Sequence, residues 1–440
     1  MKYRDILSFK YIIWVLILFS VAFLFSCSST DVSKENETDN IEIEFPRIAI
    51  STGDNKGESL TKEDGYVDCT IVFTDTDGSE ITDENGKIKV RGNSTSFGAK
   101  KPYNIKFAEK YDLFGFGKSK KWALLADCFD VSLMRNKIFL DLAKDMDMDT
   151  YLDSKYVELY LDDTYLGCYL LTETADVGKG RVDINVNDGD FIFEFEADRY
   201  EEGKNYIISK YHDWRFVIEE PETDDPLIIN NIQSTIDFYD SVIFSDNYEE
   251  IKKYLDVDSF AKLYLLNEYA KTVDFLFSSV KFYSKNGKLY AGPAWDFDLT
   301  AGNYSIWGYS SAWVGEGDTE KRELLNSHED FWCEGNPVFR TLLLNDEFRK
   351  LVGSYFDEYY ELFANVCEDG GVIDQLLAEN LDLYTKNYTE REKGGAGWKV
   401  DEQYNFMEYD RFPTYEENIE YLRSWLQKRL AWLKENNDWS

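Results

Sequence analysis

Histidine is nearly missing: His212 and His328 are the two in 440 residues, and neither lies near a cysteine or the other. That removes HExxH-type and Cys/His zinc sites and argues against a histidine-based triad. Positive charge is also scarce, with 48 Lys+Arg against 84 Asp+Glu and a formal charge of −36. Such a chain repels phosphate backbones and anionic lipid, so nucleic acid is not an expected partner. Cysteines are few and scattered: apart from Cys27, the five at Cys69, Cys128, Cys168, Cys333 and Cys367 form no CxxC and are odd in number. Free, mostly buried thiols are expected rather than a disulfide framework. Neither EF-hand spacing nor a repeat of fixed period is visible. The apolar run over residues 11–25 is shorter than the about 20 residues a bilayer-spanning helix needs.

What precedes and follows that run reads as an address. Lys2, Arg4 and Lys10 lead into it, and it ends in Leu24-Phe25-Ser26-Cys27. This resembles the lipobox of bacterial lipoproteins, in which the cysteine is diacylglycerol-modified and the signal is cut before it; an uncleaved anchor helix is the alternative. Cys27 is therefore the expected lipidation site, with residues 1–26 as signal. Residues 28–46 form a polar, acidic tether. The protein is expected outside the cytoplasm, lipid-anchored to a bacterial membrane.

The remainder divides by texture. Residues 47–107 alternate like strands, with turns expected at Asp77-Gly78 and Asn85-Gly86. A helix is predicted over 132–145, started by Asp130 or Ser132 and built on Met134, Ile138 and Leu142. A hairpin follows over 156–161 and 165–172, turning at Asp162-Asp163, and then a strand over 191–195. Helices are predicted over 226–244, 257–270, 336–365 with breaks, 372–380 and 415–436. Between them lies a hairpin, 280–284 and 288–291, turning at Asn286-Gly287. The fold class is α+β: a β-rich N-lobe with one helix over about 47–225 and a helical C-lobe over about 226–440, the outline of a two-lobed kinase-like fold.

Two segments carry chemistry. The first is Arg91-Gly92-Asn93-Ser94-Thr95 running to Lys100-Lys101-Pro102-Tyr103-Asn104-Ile105-Lys106-Phe107. Strand alternation puts Tyr103, Ile105 and Phe107 on one face and Asn104 and Lys106 on the other. Small hydroxyl residues and glycine let backbone N–H groups approach phosphate oxygens, and a strand-borne lysine adds a point charge. An ordinary hairpin with a solvated lysine has the same pattern. The second runs from the helix end through Asp274, across the hairpin, to Trp295-Asp296-Phe297-Asp298-Leu299. Helix, Asp, hairpin, then Asp-Phe-Asp is the order protein kinases use, and phosphoryl transfer needs both carboxylates, one at the acceptor hydroxyl and one on the metal. In a chain this acidic, Asp-x-Asp also arises by composition alone.

Taken together, RGNST…KKPYNIKF, KKWALLADCFDVSLMRNKIFLDLA, YVELYLDDTYLGCYLLTE with RVDI, and LYAGPAWDFDLTAGN resemble the spore-coat CotH kinase family, from about residue 47 to the C-terminal helix. The resemblance implies an atypical secretory-type protein kinase that phosphorylates Ser of exported proteins, using ATP with Mg²⁺ or Mn²⁺. It implies Asp274 as the catalytic carboxylate, Asp296 as metal ligand, and Lys106 as the phosphate-binding lysine. Arg91 and Ser94 would belong to the phosphate-facing loop. The chain departs from the pattern in places. Ser96 precedes Phe97 where an aromatic is usual, Ser279 stands where ordinary kinases keep a second metal ligand, and Asp298 replaces Gly and would share the metal. The helix over 132–145 has no Glu, so Glu158 or Glu173 is the expected partner of Lys106, with Glu173 counted in the ATP site. Tyr290 is either a core aromatic or an adenine platform. The competing classes are a catalytically inactive kinase-like scaffold and a glycan-binding or glycan-active surface protein.

Overall fold

The computed structural model describes residues 44–439 except 54–55, 198–199, 201–202, 305–318, 390–396 and 399–411. Cys27, the signal and almost all of the tether lie outside the described residues. Strand β1 (Arg47–Ser51) sets the pattern: Ile48 and Ile50 point inward, opposite Phe73 and Ile71 of β2 (Val67–Thr74). Strands β3 (Glu80–Val90), β4 (Tyr103–Asp112) and β5 (Lys118–Leu125) continue the sheet. The hairpin β6 (Ser154–Leu161) and β7 (Thr164–Thr172) completes a closed barrel in the order β1-β2-β3-β4-β5-β7-β6, sealed by the parallel pair β1–β6. That hairpin turns at Asp162-Asp163, both with positive φ (48° and 62°), the backbone a two-residue turn of this kind demands. Asp162 then accepts bonds from Thr52 and Gly57, fixing the chain after β1.

At Asn85-Gly86 the chain does not turn. β3 runs straight through, and the register with β2 shifts there instead. A Cβ on Gly86 would sit 2.6 Å from the Ile71 side chain, so this glycine serves a close strand approach at a bulge.

The barrel wall is shared between two cores because successive strand residues face opposite ways. Trp122, Leu124, Tyr169 and Leu171 fill the barrel, whereas Ala123, Leu125, Cys168 and Leu170 join the larger helical core. Outside the barrel lie α1 (Arg135–Asp145) and a second sheet in the order β12-β11-β8-β10-β9. Its strands are β8 (Phe191–Phe195), β9 (Tyr206–Ile208), β10 (Arg215–Glu220), β11 (Val280–Lys285) and β12 (Lys288–Ala291). The helices α2 (Pro226–Phe244), α3 (Tyr248–Tyr254) and α4 (Val257–Ala270) fall between β10 and β11. After β12 come α5 (Thr319–Asn326), α6 (Pro337–Leu343), α7 (Asp346–Cys367), α8 (Val372–Thr389) and α9 (Tyr415–Asn436). The chain is thus mixed α+β, β-rich in its first half and helical in its second. The hairpin β11–β12 from the second half pairs with β8 of the first, so residue 226 separates textures but not sheets. Strands β5, β9 and β10 and helices α3 and α5 were not anticipated.

All five described cysteines are free and buried, as expected. Among the described residues no helix is long and apolar enough to cross a membrane.

Candidate active site

A cleft of about 500 Å³ opens where the ends of β3 and β5 meet the second sheet. Arg91, Ser94, Asp274, Asp296 and Asp298, all singled out from the sequence, line it. Each is held by local chemistry. Helix α4 ends at Lys271, which takes the left-handed conformation (φ 47°) and donates to the carbonyls of Leu324, Ser327 and Glu329. This lysine is a structural clamp, its ammonium lowered to about 8 by burial. A single turn, Val273–Leu276, then presents Asp274, nearly buried, at one foot of the β11–β12 hairpin. Asp296 stands at the other foot. Ser279 Oγ donates to Asp296 Oδ2 at 2.9 Å and joins the two feet. Ser279 and Asp296 both have positive φ (63° and 70°), a strained backbone for residues with side chains. Further ties run from Val273 N to Leu299 O and from Ala301 N to Ala270 O.

Helix α1 anchors the Asp-Phe-Asp segment from behind. Asp130 caps it, accepting the N–H groups of Met134 and Arg135, and pairs with the Arg135 guanidinium. Arg135 in turn donates to the carbonyls of Thr300 and Ala301. Asn136 accepts the N–H of Phe297 at 2.8 Å and donates to Asp127 Oδ1 at 2.8 Å. Phe297 is fully buried against Phe139 of α1. The carboxyls flanking it are thereby aimed at the cleft.

The electrostatics are those of crowded acids. Burial, then Asp296, Asp274, Asp127 and Asp130, drives the Asp298 carboxyl well above its usual range. Asp127 is pushed up to about 7, by burial first and by Asp130. Facing them is Arg91, whose guanidinium lies 4.9 Å over the Trp295 ring; burial lowers it while Asp296 and Asp298 hold it charged. A Lys–Glu pair is also present in the cleft, but not the expected one. Glu194 of β8 binds the Lys281 ammonium and the Ser279 N–H. Burial would lower Lys281, yet Glu194 and Glu219 outweigh it and the net shift is upward.

Lys106 and Glu173 lie outside this cleft. Lys106 lines a neighbouring cavity, while Asn104, two residues earlier on the same face of β4, lines the cleft. Glu173 is fully buried, accepting from Arg181 Nε at 3.1 Å and from the Asp153 N–H. Glu158 pairs with Arg47 and Lys386. Tyr290 stacks on Tyr283 at 4.9 Å and is absent from the cleft wall, where Trp295 and Tyr206 are the aromatics. Trp295, Asp127, Asn136, Glu194 and Lys281 were missed as site residues. For the last two a signal existed: Phe-Ile-Phe-Glu-Phe and Val-Lys-Phe-Tyr each carry one charge in an apolar strand, and buried charges of opposite sign seek each other.

Among the described residues no group of three or more His, Cys, Asp or Glu is arranged to hold a metal ion. The donor set nevertheless suits a divalent cation. Asp296 and Asp298 are oxygen ligands of the hard kind, and their crowding with Asp274 and Asp127 is a repulsion that a cation relieves.

Among known families, the model for CotH kinase protein matches residues 88–433. No curated protein matches the chain.

Proposed function

This chain belongs to the CotH kinase family, and on that premise we propose that its cleft transfers the γ-phosphate of ATP to a serine hydroxyl. The observation that carries the reading is the convergence of Asp274 and Asp296 at the two feet of one hairpin, bridged by Ser279, with Asp298 beside them. Asp296 and Asp298 would hold Mg²⁺ or Mn²⁺, which neutralises charge on the β- and γ-phosphate oxygens. Asp274 orients the acceptor hydroxyl and takes its proton. Ser279 sets the rotamer of Asp296, and Asn136 fixes the backbone between the two ligands. The cations facing the phosphates are Arg91, stacked on Trp295, and Lys281, oriented by Glu194. Gly92 supports the loop that carries Ser94: its φ is 85°, and a Cβ would stand 1.9 Å from Thr95 Oγ1.

The test is transfer of radiolabelled phosphate to a serine-containing acceptor, alongside metal-dependent ATP titration. Asp274→Asn should cut turnover by about 10²–10⁴ and leave nucleotide affinity in place. Asp296→Asn should lose both metal-dependent binding and transfer. If both variants transfer phosphate at the parent rate, the reading fails.

Lipidation at Cys27 would tether this domain to a membrane and make exported proteins its acceptors. Cys27→Ala should then release the protein from membranes or leave an uncleaved precursor; normal processing and membrane partitioning in that variant would refute the anchor.

A further inference from the structure

Beside the cleft lies a second, larger cavity of about 910 Å³, bounded by β4, β5 and two glycine-containing loops around residues 115–117 and 178–180. Its wall runs against the charge of the molecule. In a chain with a net charge of −36, the side chains of Lys106, Lys110, Lys118 and Lys179 gather here, and among the described residues none of the four has a carboxylate within ion-pair distance. Lys121 is bound to Asp176 at 3.3 Å, and Lys120 donates to the Ala108 carbonyl. The cavity holds more positive charge than its own acids neutralise.

A second observation sits on the same wall. Arg181 is only 7% exposed and lies 4.7 Å over the Trp122 ring. Its Nε binds Glu173, and its Nη1 binds the Lys121 carbonyl at 2.9 Å and Thr174 Oγ1 at 2.7 Å. Its Nη2 has no hydrogen-bond partner. An orphaned donor on a buried guanidinium costs free energy, but this atom is closed to solvent, so Arg181 reaches the cavity by its charge and not by a hydrogen bond. The loops beside the lysines are open: Gly117 and Gly180 have positive φ (98° and 87°), and a Cβ on either would meet nothing closer than 3.7 Å. Oxygens can therefore come close to backbone there.

The cavity adjoins the cleft. Asn104 and Lys106 lie on one face of β4 two residues apart, about 7 Å at the usual strand rise, and they line the cleft and the cavity respectively. A short peptide reaches both.

We propose that this cavity binds a phosphomonoester, and that its source is a phosphorylated segment of the acceptor protein, so that one phosphoserine positions the next serine in the cleft. A phosphomonoester brings close to two negative charges and three acceptor oxygens in one group, matching a wall whose six lysines and Arg181 outnumber Asp153, Asp176 and Glu220. Binding of the anion stands on the cavity alone; the peptide source rests on the phosphotransferase reading above.

The experiment is fluorescence anisotropy on the full chain at fixed ionic strength, without nucleotide or metal. A phosphoserine peptide and its unphosphorylated twin are titrated separately, with inorganic phosphate as competitor. The phosphopeptide should bind at least about tenfold more tightly than its twin, and reversing two exposed cavity charges (Lys110→Glu with Lys118→Glu) should lower its affinity by about tenfold or more. Equal affinity for the two peptides, or undiminished binding by the charge-reversed chain, overturns the site. Displacement by inorganic phosphate at concentrations equal to the peptide overturns the peptide source. A parent chain that binds the phosphopeptide but transfers no phosphate supports the site and refutes the catalytic reading.

Discussion

Asp127 shows how much a single buried carboxyl matters. Its proton is held to about 7 in the folded chain against an ordinary value of 3.8, by burial first and then by Asp130. Between those values the folded state keeps a proton that the unfolded state has released, so this group makes stability fall as pH rises through that window. Asp127→Asn keeps an oxygen for Asn136 and abolishes the titration. Its urea-unfolding free energy should therefore change less steeply than the parent's between about pH 4 and 7; parallel curves would show that the proton sits elsewhere. Lys106 teaches the opposite lesson about reading residues from sequence. Strand alternation correctly put Asn104 and Lys106 on one outward face of β4, but alternation has a period of two and carries no information about what covers each position. Asn104 shares the cleft wall with Glu194, Val217 and Lys281 of the second sheet, whose strands come from residues 191–220 and 280–291. By contrast, Asp274, Asp296 and Asp298 were legible because they flank one short hairpin, and local chain geometry alone brings its feet together.

At the scale of elements, turn chemistry was the most readable signal. Asp162-Asp163 and Asn286-Gly287 adopt the positive φ values their residue types tolerate, and both hairpins fall where expected. Asn85-Gly86 has the same chemistry yet sits inside β3, because strand pairing on both sides overrode the turn. Strands β9 and β10 escaped notice for a different reason: β9 is only three residues long, and β10 reads Arg-Phe-Val-Ile-Glu-Glu without alternation. Helix α1 was foreseen, but its duty as an anchor was not, since Asn136 reaches a backbone N–H across 161 residues of sequence. Asn136→Ala should orphan the buried Phe297 N–H and cost about 1–3 kcal/mol in chemical denaturation. Phosphate transfer should fall with it, as Asp296 and Asp298 lose their fixed backbone. Unchanged stability would mean that the loop is held by other contacts.

For the whole molecule, the core decides how the chain unfolds. Phe193 and Phe216 of the first half pack on Phe282, which also contacts Phe260 and Phe339 of the second. Residues 43–440 accordingly cluster as one compact unit. Heating should give a single transition seen alike by tryptophan fluorescence and near-ultraviolet circular dichroism, and fragments 44–225 and 226–439 should not fold alone. Two resolved transitions would refute this. The ion pair between Arg429 of α9 and Glu268 of α4, both fully buried at 2.7 Å, is the cross-brace. Arg429→Met would strand the Glu268 charge and cost about 3–5 kcal/mol, read as a fall in melting temperature. The pairing of β8 with β11 has a consequence for biosynthesis. A ribosome delivers Phe191-Ile192-Phe193-Glu194-Phe195 well before residues 280–285, so one edge of β8 stays open while the intervening helices are made. An apolar open edge is a template for pairing with a neighbouring chain. Its single charge, Glu194, is then a gatekeeper against intermolecular sheet growth, and the same carboxylate later becomes the partner of Lys281.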